Sequence, residues 1–290
     1  SMQVAVLQPD LAGGLAGQVR GGGGPLAHIP LGRHDNDSAA PEHDAARSAI
    51  LGSLNAEGIT ADTLTAAAHR VGHGGTSLVK PCRITDDVIA GIEAATPLAP
   101  LHNPNNLAGI RALQKLAPDL PQYASFGTAF HATNPPVATA YAIPKKDRDM
   151  GIRRYGFHGL SYAWIVTQLE DRLPDRLLAF HLGSGASLCA IHKGKSVATS
   201  MGYSPLDGLT MGTRSGAIDG MAVLRMAENH GAQEASRRLN KDIGLNGLGG
   251  AHDMRLLLAS DTDHATLSVE HFCYLPAAHA CISFVADRCS

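Results

Sequence analysis

At 290 residues the chain is long enough for two domains of roughly 100–200 residues each, and its 44% hydrophobic content excludes a disordered or fibrous protein. Lys and Arg number 24 against 26 Asp and Glu, a net charge of -2 with neither sign gathered into a long block, which argues against bulk electrostatic binding to nucleic acid or an anionic membrane. The 32 glycines and 16 prolines are spread among short apolar runs while aromatics are only 4%, so many tight loops around an aliphatic core are expected.

Gln3–Leu7 reads as a short strand, after which the glycines at 13–14 and 21–24 interrupt any regular element. That glycine run lacks the buried strand before it and the periodic helix after it that a phosphate loop needs. Ala45–Leu54 has a helical pattern, and the alanine-rich Ala61–Ala68 reads as a second helical stretch, which Gly72, Gly74 and Gly75 cannot continue. Asn103 and Pro104 supply an N-cap and a first-turn proline for a helix that carries Leu107, Ile110, Leu113 and Ala117 at helical spacing until Pro118. Tyr123–Phe130 is predicted as a strand and 133–136 as irregular. Ser161 is placed to cap a helix with Tyr162, Ile165, Val166, Leu169 and Leu173 on one face, closed by Pro174. Leu177–Leu182 then reads as a buried strand that runs into Gly183-Ser184-Gly185-Ala186-Ser187, with Leu188–Ile191 as its partner. This succession makes an α/β architecture the default.

No run approaches the roughly 18–20 apolar residues of a membrane span, and no charged-then-apolar leader is visible, so a cytoplasmic protein is expected. The five cysteines are odd in number, widely spaced and never paired as C-x-x-C, which favours reduced thiols over disulfides or zinc.

Four features bear on chemistry. Leu182–Ser187 follows a strand with glycines that let backbone N–H groups converge on an anion; the same residues also suit a tight hairpin turn. Arg70 and Arg214 both lie in glycine-rich backbone, where a guanidinium can fork onto a carboxylate or phosphate, or simply tie down its loop through carbonyls. His158 stands between Phe157 and Gly159, free either to satisfy a core hydrogen bond or to face a ligand. His69 and His73 have the spacing of helical zinc ligands, but the glycines beside them break the helix such a pair requires.

Taken together, HRVGHGG (69–75), LAPLHNPNNLAGI (98–110), FGTAFH (126–131), YGFHGLSY (155–162), the stretch 180–220 and GLGGAHDMR (247–255) resemble the acetate/propionate kinase (acetokinase) family in order and spacing. The resemblance runs from about Ala66 to Ala286. It implies two ribonuclease-H-like domains of the sugar kinase, heat-shock chaperone and actin type, with an acyl-substrate side over 1–126 and a nucleotide side over 127–290, in a homodimer. It also implies phosphoryl transfer between ATP/ADP and a short-chain carboxylate or acyl phosphate with Mg2+, and neither nucleic acid nor membrane as partner. By position, Arg70 resembles the substrate-binding arginine, while His158 and Arg214 resemble the transition-state stabilisers. His102 falls in the active cleft, His181, Leu182, Gly183, Ser184 and Gly185 in the nucleotide-phosphate loop, and Asp253, Met254 and Arg255 in a nucleotide-contacting segment. Leu101, Phe157 and Pro205 keep three members of the family's acyl pocket, whereas Gly72 replaces a valine. That exchange is expected to leave room for propionate or butyrate, at about 1–3 kcal/mol of discrimination per methylene.

Departures accompany the likeness. Gly127 stands where the family motif F-D-T-A-F-H has its catalytic, metal-proximal aspartate, so no metal ligand is assigned here. Ser184 replaces an asparagine, and Tyr162 ends a motif that in the family reads H-G-T-S-H. The family's opening N-A-G-S-S-S loop and its late glycine-rich adenosine loop have no counterparts between residues 1 and 290, so the second domain is expected to be incomplete. These substitutions predict impaired turnover, and the alternative they raise is a catalytically silent anion-binding or dimerisation module.

Overall fold

A computed structural model describes residues 4–7, 64–100 and 102–286. The predicted helix at 45–54 lies outside the described residues. The chain divides into two compact units, one holding residues up to 73 and 80–126, the other 74–79 and everything from 127.

The first unit is a four-stranded mixed sheet in the order β1 (Val4–Leu7), β2 (Ala66–Val71), β4 (Gln122–Phe126), β3 (Cys82–Arg83). β1 lies antiparallel to β2, β2 parallel to β4, and β3 antiparallel to β4. Helices α1 (Asp86–Ala94) and α2 (Asn103–Leu116) accompany it. Val71, Ile92, Ile110, Ala124 and Phe126 are wholly buried. β2 corrects the expected helix at 61–68: from Ala66 onward the alanines form a strand whose register with β1 and β4 is set by residues distant in sequence. Alanine's helix propensity is worth only tenths of a kcal/mol per residue, less than ladder pairing and burial. The strand expected over 123–130 likewise stops at Phe126, and Ala129–Thr133 turns as a 3-10 helix.

The second unit is built on an antiparallel sheet, β5 (Arg176–Leu182), β6 (Ala186–His192) and β7 (Lys195–Thr199), with β6 central. Ala186 and Leu188 on one face of β6 pack with Phe157, Met201, Leu209, Met211 and Leu275; Cys189 and Ile191 on the other pack with Tyr162, Phe130, Ile165 and Val166. Helix α3 (Gly159–Leu169) supplies Tyr162, Ile165 and Val166, the long Asp263–Ala286 helix, called α8, supplies Leu275, and the other partners come from loops and turns. Between α3 and α8 come α4 (Gly220–His230), α5 (Ala232–Lys241), α6 (Leu245–Gly249) and α7 (Met254–Leu258). β5 is less buried than its apolar sequence suggested, since Phe180 is 40% and Leu182 55% exposed among the described residues. No helix of the described residues is long and apolar enough to cross a membrane.

Candidate active site

Within the second unit, the backbone around His158 is set by steric necessity. His158 is the N-cap of α3 in the left-handed region, at φ 58°. Gly159 then donates its N–H to the Gly127 carbonyl at 2.8 Å, and a Cβ on Gly159 would lie 2.7 Å from that oxygen and 2.9 Å from Phe130 Cβ. Only glycine fits, and the contact fixes the His158 side chain toward the sheet. Ser161, expected as the cap, instead lies inside the helix, where its Oγ bonds His181 Nδ1 at 3.0 Å.

The His158 ring stacks on that of His181 at 4.0 Å between centroids, and its Nδ1 is 2.8 Å from Ser187 Oγ on β6. Its other nitrogen faces the turn between β5 and β6. Gly183-Ser184-Gly185 closes that turn as a hairpin, with Gly183 N–H bonding the Gly185 carbonyl at 3.1 Å. A Cβ on Gly185 would sit 2.6 Å from Arg214 Nη2 and 3.3 Å from His158 Nε2, so the missing side chain lets a guanidinium and an imidazole approach one point.

Arg214 is held there by a loop stapled on three sides. Gly212 N–H donates to the Ser184 carbonyl (3.3 Å), while Leu245 and Asn246 at the start of α6 donate to the Met211 and Gly212 carbonyls (both 3.0 Å). Arg214 Nη1 donates to the Pro205 carbonyl at 2.7 Å. No carboxylate among the described residues pairs with Arg214. Burial pulls the guanidinium pKa down from its ordinary value, a sign that the charge is partly desolvated without a compensating anion. Such a group is a natural receptor for phosphate or carboxylate. Phe157 is buried in the core beside this loop and Pro205 is half-buried.

Asp253, Met254 and Arg255 open α7. Asp253 caps it by accepting from Arg255 N–H at 2.9 Å, and its carboxylate also takes Arg255 Nη2 at 2.6 Å, which holds the acid at about 2. A Cβ on Gly212 would lie 3.3 Å from the His252 carbonyl, so this segment borders the Arg214 loop. Arg154 was not singled out by sequence; its Nη1 binds the Ser200 and Met201 carbonyls at 2.9 Å and Asp207 at 3.1 Å, pinning the 200–208 loop.

The remaining candidates belong to the first unit. Arg70 is exposed on β2. His102 is exposed at the N-cap of α2 without a capping side-chain bond, and Leu101 lies outside the described residues. Asn103, expected as the cap, is instead the buried first helical residue. Its amide clasps His73 N–H (3.1 Å), the His73 carbonyl (3.0 Å) and the Ile92 carbonyl (3.2 Å). Gly72 corrects the expectation of vacated room. A Cβ there would meet His102 Cβ at 2.9 Å and Asn103 Oδ1 at 3.3 Å, so the start of α2 already crowds the place of the lost side chain. His69 bonds Gln122 Oε1 at 2.7 Å, a structural use. No three His, Cys, Asp or Glu side chains of the described residues gather as metal ligands.

Residues 26–286 match the Acetokinase family. An acetate kinase of Rhodopseudomonas palustris is 43% identical over 272 residues, covering 88% of this chain and 68% of that protein. One of Methylocella silvestris is 46% identical over 218 residues, 73% of this chain and 54% of its own. Among solved structures, a propionate kinase of Francisella tularensis superposes with TM-score 0.78 at 38% identity, over 84% of this chain and 65% of that one. Porphyromonas gingivalis acetate kinase gives 0.78 at 35%, over 86% and 66%. The matched region thus spans about two thirds or less of most of these relatives.

Proposed function

The chain belongs to the acetokinase family, and on that premise we propose that it transfers phosphoryl groups to a carboxyl acceptor: ATP and acetate, propionate or another short-chain acid give ADP and acyl phosphate. The observation that carries this reading is the approach of Arg214 Nη2 and His158 Nε2 to one point over Gly185. In an in-line transfer a carboxylate oxygen forms a bond to the γ-phosphorus as the bond to the ADP oxygen breaks. Negative charge then spreads over three equatorial oxygens. A desolvated guanidinium and an imidazole N–H held beside each other stabilise that charge; losing one such donor typically costs about 3–4 kcal/mol of transition-state stabilisation.

The remaining assignments extend the same reading. By their positions in the family motifs, Arg70 is assigned to the substrate carboxylate and Gly72, Leu101, His102, Phe157 and Pro205 to its acyl group. His181–Gly185 and Asp253–Arg255 serve the nucleotide phosphates and nucleoside. The two units correspond to ribonuclease-H-like domains over 1–126 and 127–290, working as a cytoplasmic homodimer. The 0.78 superpositions on acetate and propionate kinases support the fold assignment. Magnesium is implied by the family, but Gly127 carries no carboxylate and the described residues gather no ligand set.

Gly127 favours a second reading, a silent module that holds an acyl phosphate or mediates dimerisation without turnover. Gly127 does not take a positive φ, so its backbone accepts aspartate without conformational strain. The test is trapping of acyl phosphate with hydroxylamine for the natural chain and for Gly127→Asp. Slow formation by the first, raised at least tenfold in the second, is expected. Formation by neither, with phosphate still bound, leaves the silent module.

A further inference from the structure

Tyr162 and Ser187 lie behind His158, away from the reacting point, and the kinase reading gives them no task. Tyr162 stands one turn along α3, fully buried, its ring against His131 (5.8 Å, 68°) and Phe130 (6.4 Å, 31°). Its hydroxyl is 2.5 Å from Ser187 Oγ, and Ser187 Oγ is 2.8 Å from His158 Nδ1.

We propose that Tyr162, acting through Ser187, fixes His158 in the neutral tautomer that carries its proton on Nε2, so that the imidazole presents a hydrogen-bond donor beside Arg214. The inference rests on the reading of His158 as a phosphoryl-contacting group. Tyr162 and Ser187 are then positioning residues.

The direction of the chain follows from counting protons. Burial raises the phenol pKa, so the group keeps its proton. That proton has one acceptor among the described residues, Ser187 Oγ. The serine oxygen can accept twice, but with the phenol already donating to it, the serine's own proton meets one acceptor among the described residues, His158 Nδ1. An accepting Nδ1 is unprotonated, and in the neutral ring the proton resides on Nε2. Running the chain the other way would leave the phenol's own proton without an acceptor among the described residues, in a buried place where a stranded donor is destabilising. A ring protonated on Nδ1 alone would turn a lone pair toward the phosphoryl oxygens, which repels them.

Long-range 1H–15N spectra of the uniformly labelled protein, with His158→Gln identifying the His158 signals among 15 histidines, decide the matter without turnover. The protonated nitrogen is expected to be Nε2, and in Tyr162→Phe, which keeps the ring packing, a large share of the proton should move to Nδ1. Inorganic phosphate should then bind about three- to tenfold more weakly to Tyr162→Phe. A wild-type His158 protonated on Nδ1, or a Tyr162→Phe spectrum unchanged from wild type, overturns the proposal. If Tyr162→Phe does not fold, the wild-type spectrum and that of Ser187→Ala decide between the same two outcomes. Failure to form acyl phosphate would sink the kinase reading and leave these spectra untouched.

Discussion

Gly185 is the residue on which the site turns, because its hydrogen occupies the space into which Arg214 Nη2 and His158 Nε2 point. A methyl group there displaces the flexible end of an arginine rather than backbone. Gly185→Ala should therefore leave the fold within about 1 kcal/mol of wild type while weakening phosphate binding roughly tenfold; titration calorimetry alongside a urea melt separates the two effects. Two buried histidines give a second residue-level expectation. Burial holds His131 and His73 at about 4, below their ordinary 6.5. Between those values the unfolded chain binds more protons than the folded one, so stability is complete above about pH 6.5 and declines as pH falls toward 4. Each group can account for about 3 kcal/mol at most. Urea midpoints at about pH 7.5 and about pH 5 should differ accordingly, and equal midpoints would contradict these pKa values.

Among the elements, the junction of β2, α1 and α2 is held by one side chain. Asn103 satisfies three backbone groups with no exposure of its own. Asn103→Ala strands them, and about 2–4 kcal/mol of lost stability is expected in a denaturant titration. Gly72→Val forces a Cβ into His102 Cβ, and a similar melt should show a loss of about 1–3 kcal/mol. Both consequences were hidden in the sequence. The helix α2 itself was legible, since Leu107, Ile110 and Pro104 obey local spacing rules. That Asn103 would reach back to His73 rather than cap its own helix depends on where β2 and α1 come to rest, and no local pattern encodes that. β2 was misread for the same reason, its conformation being decided by Gln122–Phe126 more than fifty residues later.

For the whole molecule, family membership was readable because motif order and spacing survive across 180–220 and its neighbours. The α/β character and the strand–turn–strand at 177–191 followed from composition and glycine placement. Gly183–Gly185 is the hairpin its glycines allow, and its third residue is the one Arg214 approaches. What spacing could not reveal was Ser187 joined to Tyr162 and His158, a link between a strand and a helix; the four-residue step from His158 to Tyr162, one helical turn, was the available hint. On the proposed reading, the Arg214 and His158 pair receives a phosphoryl group. Calorimetric titration of wild type and Arg214→Gln with inorganic phosphate tests it most directly: the account predicts binding that weakens at least tenfold in the variant, and equal affinity of the two proteins would contradict it.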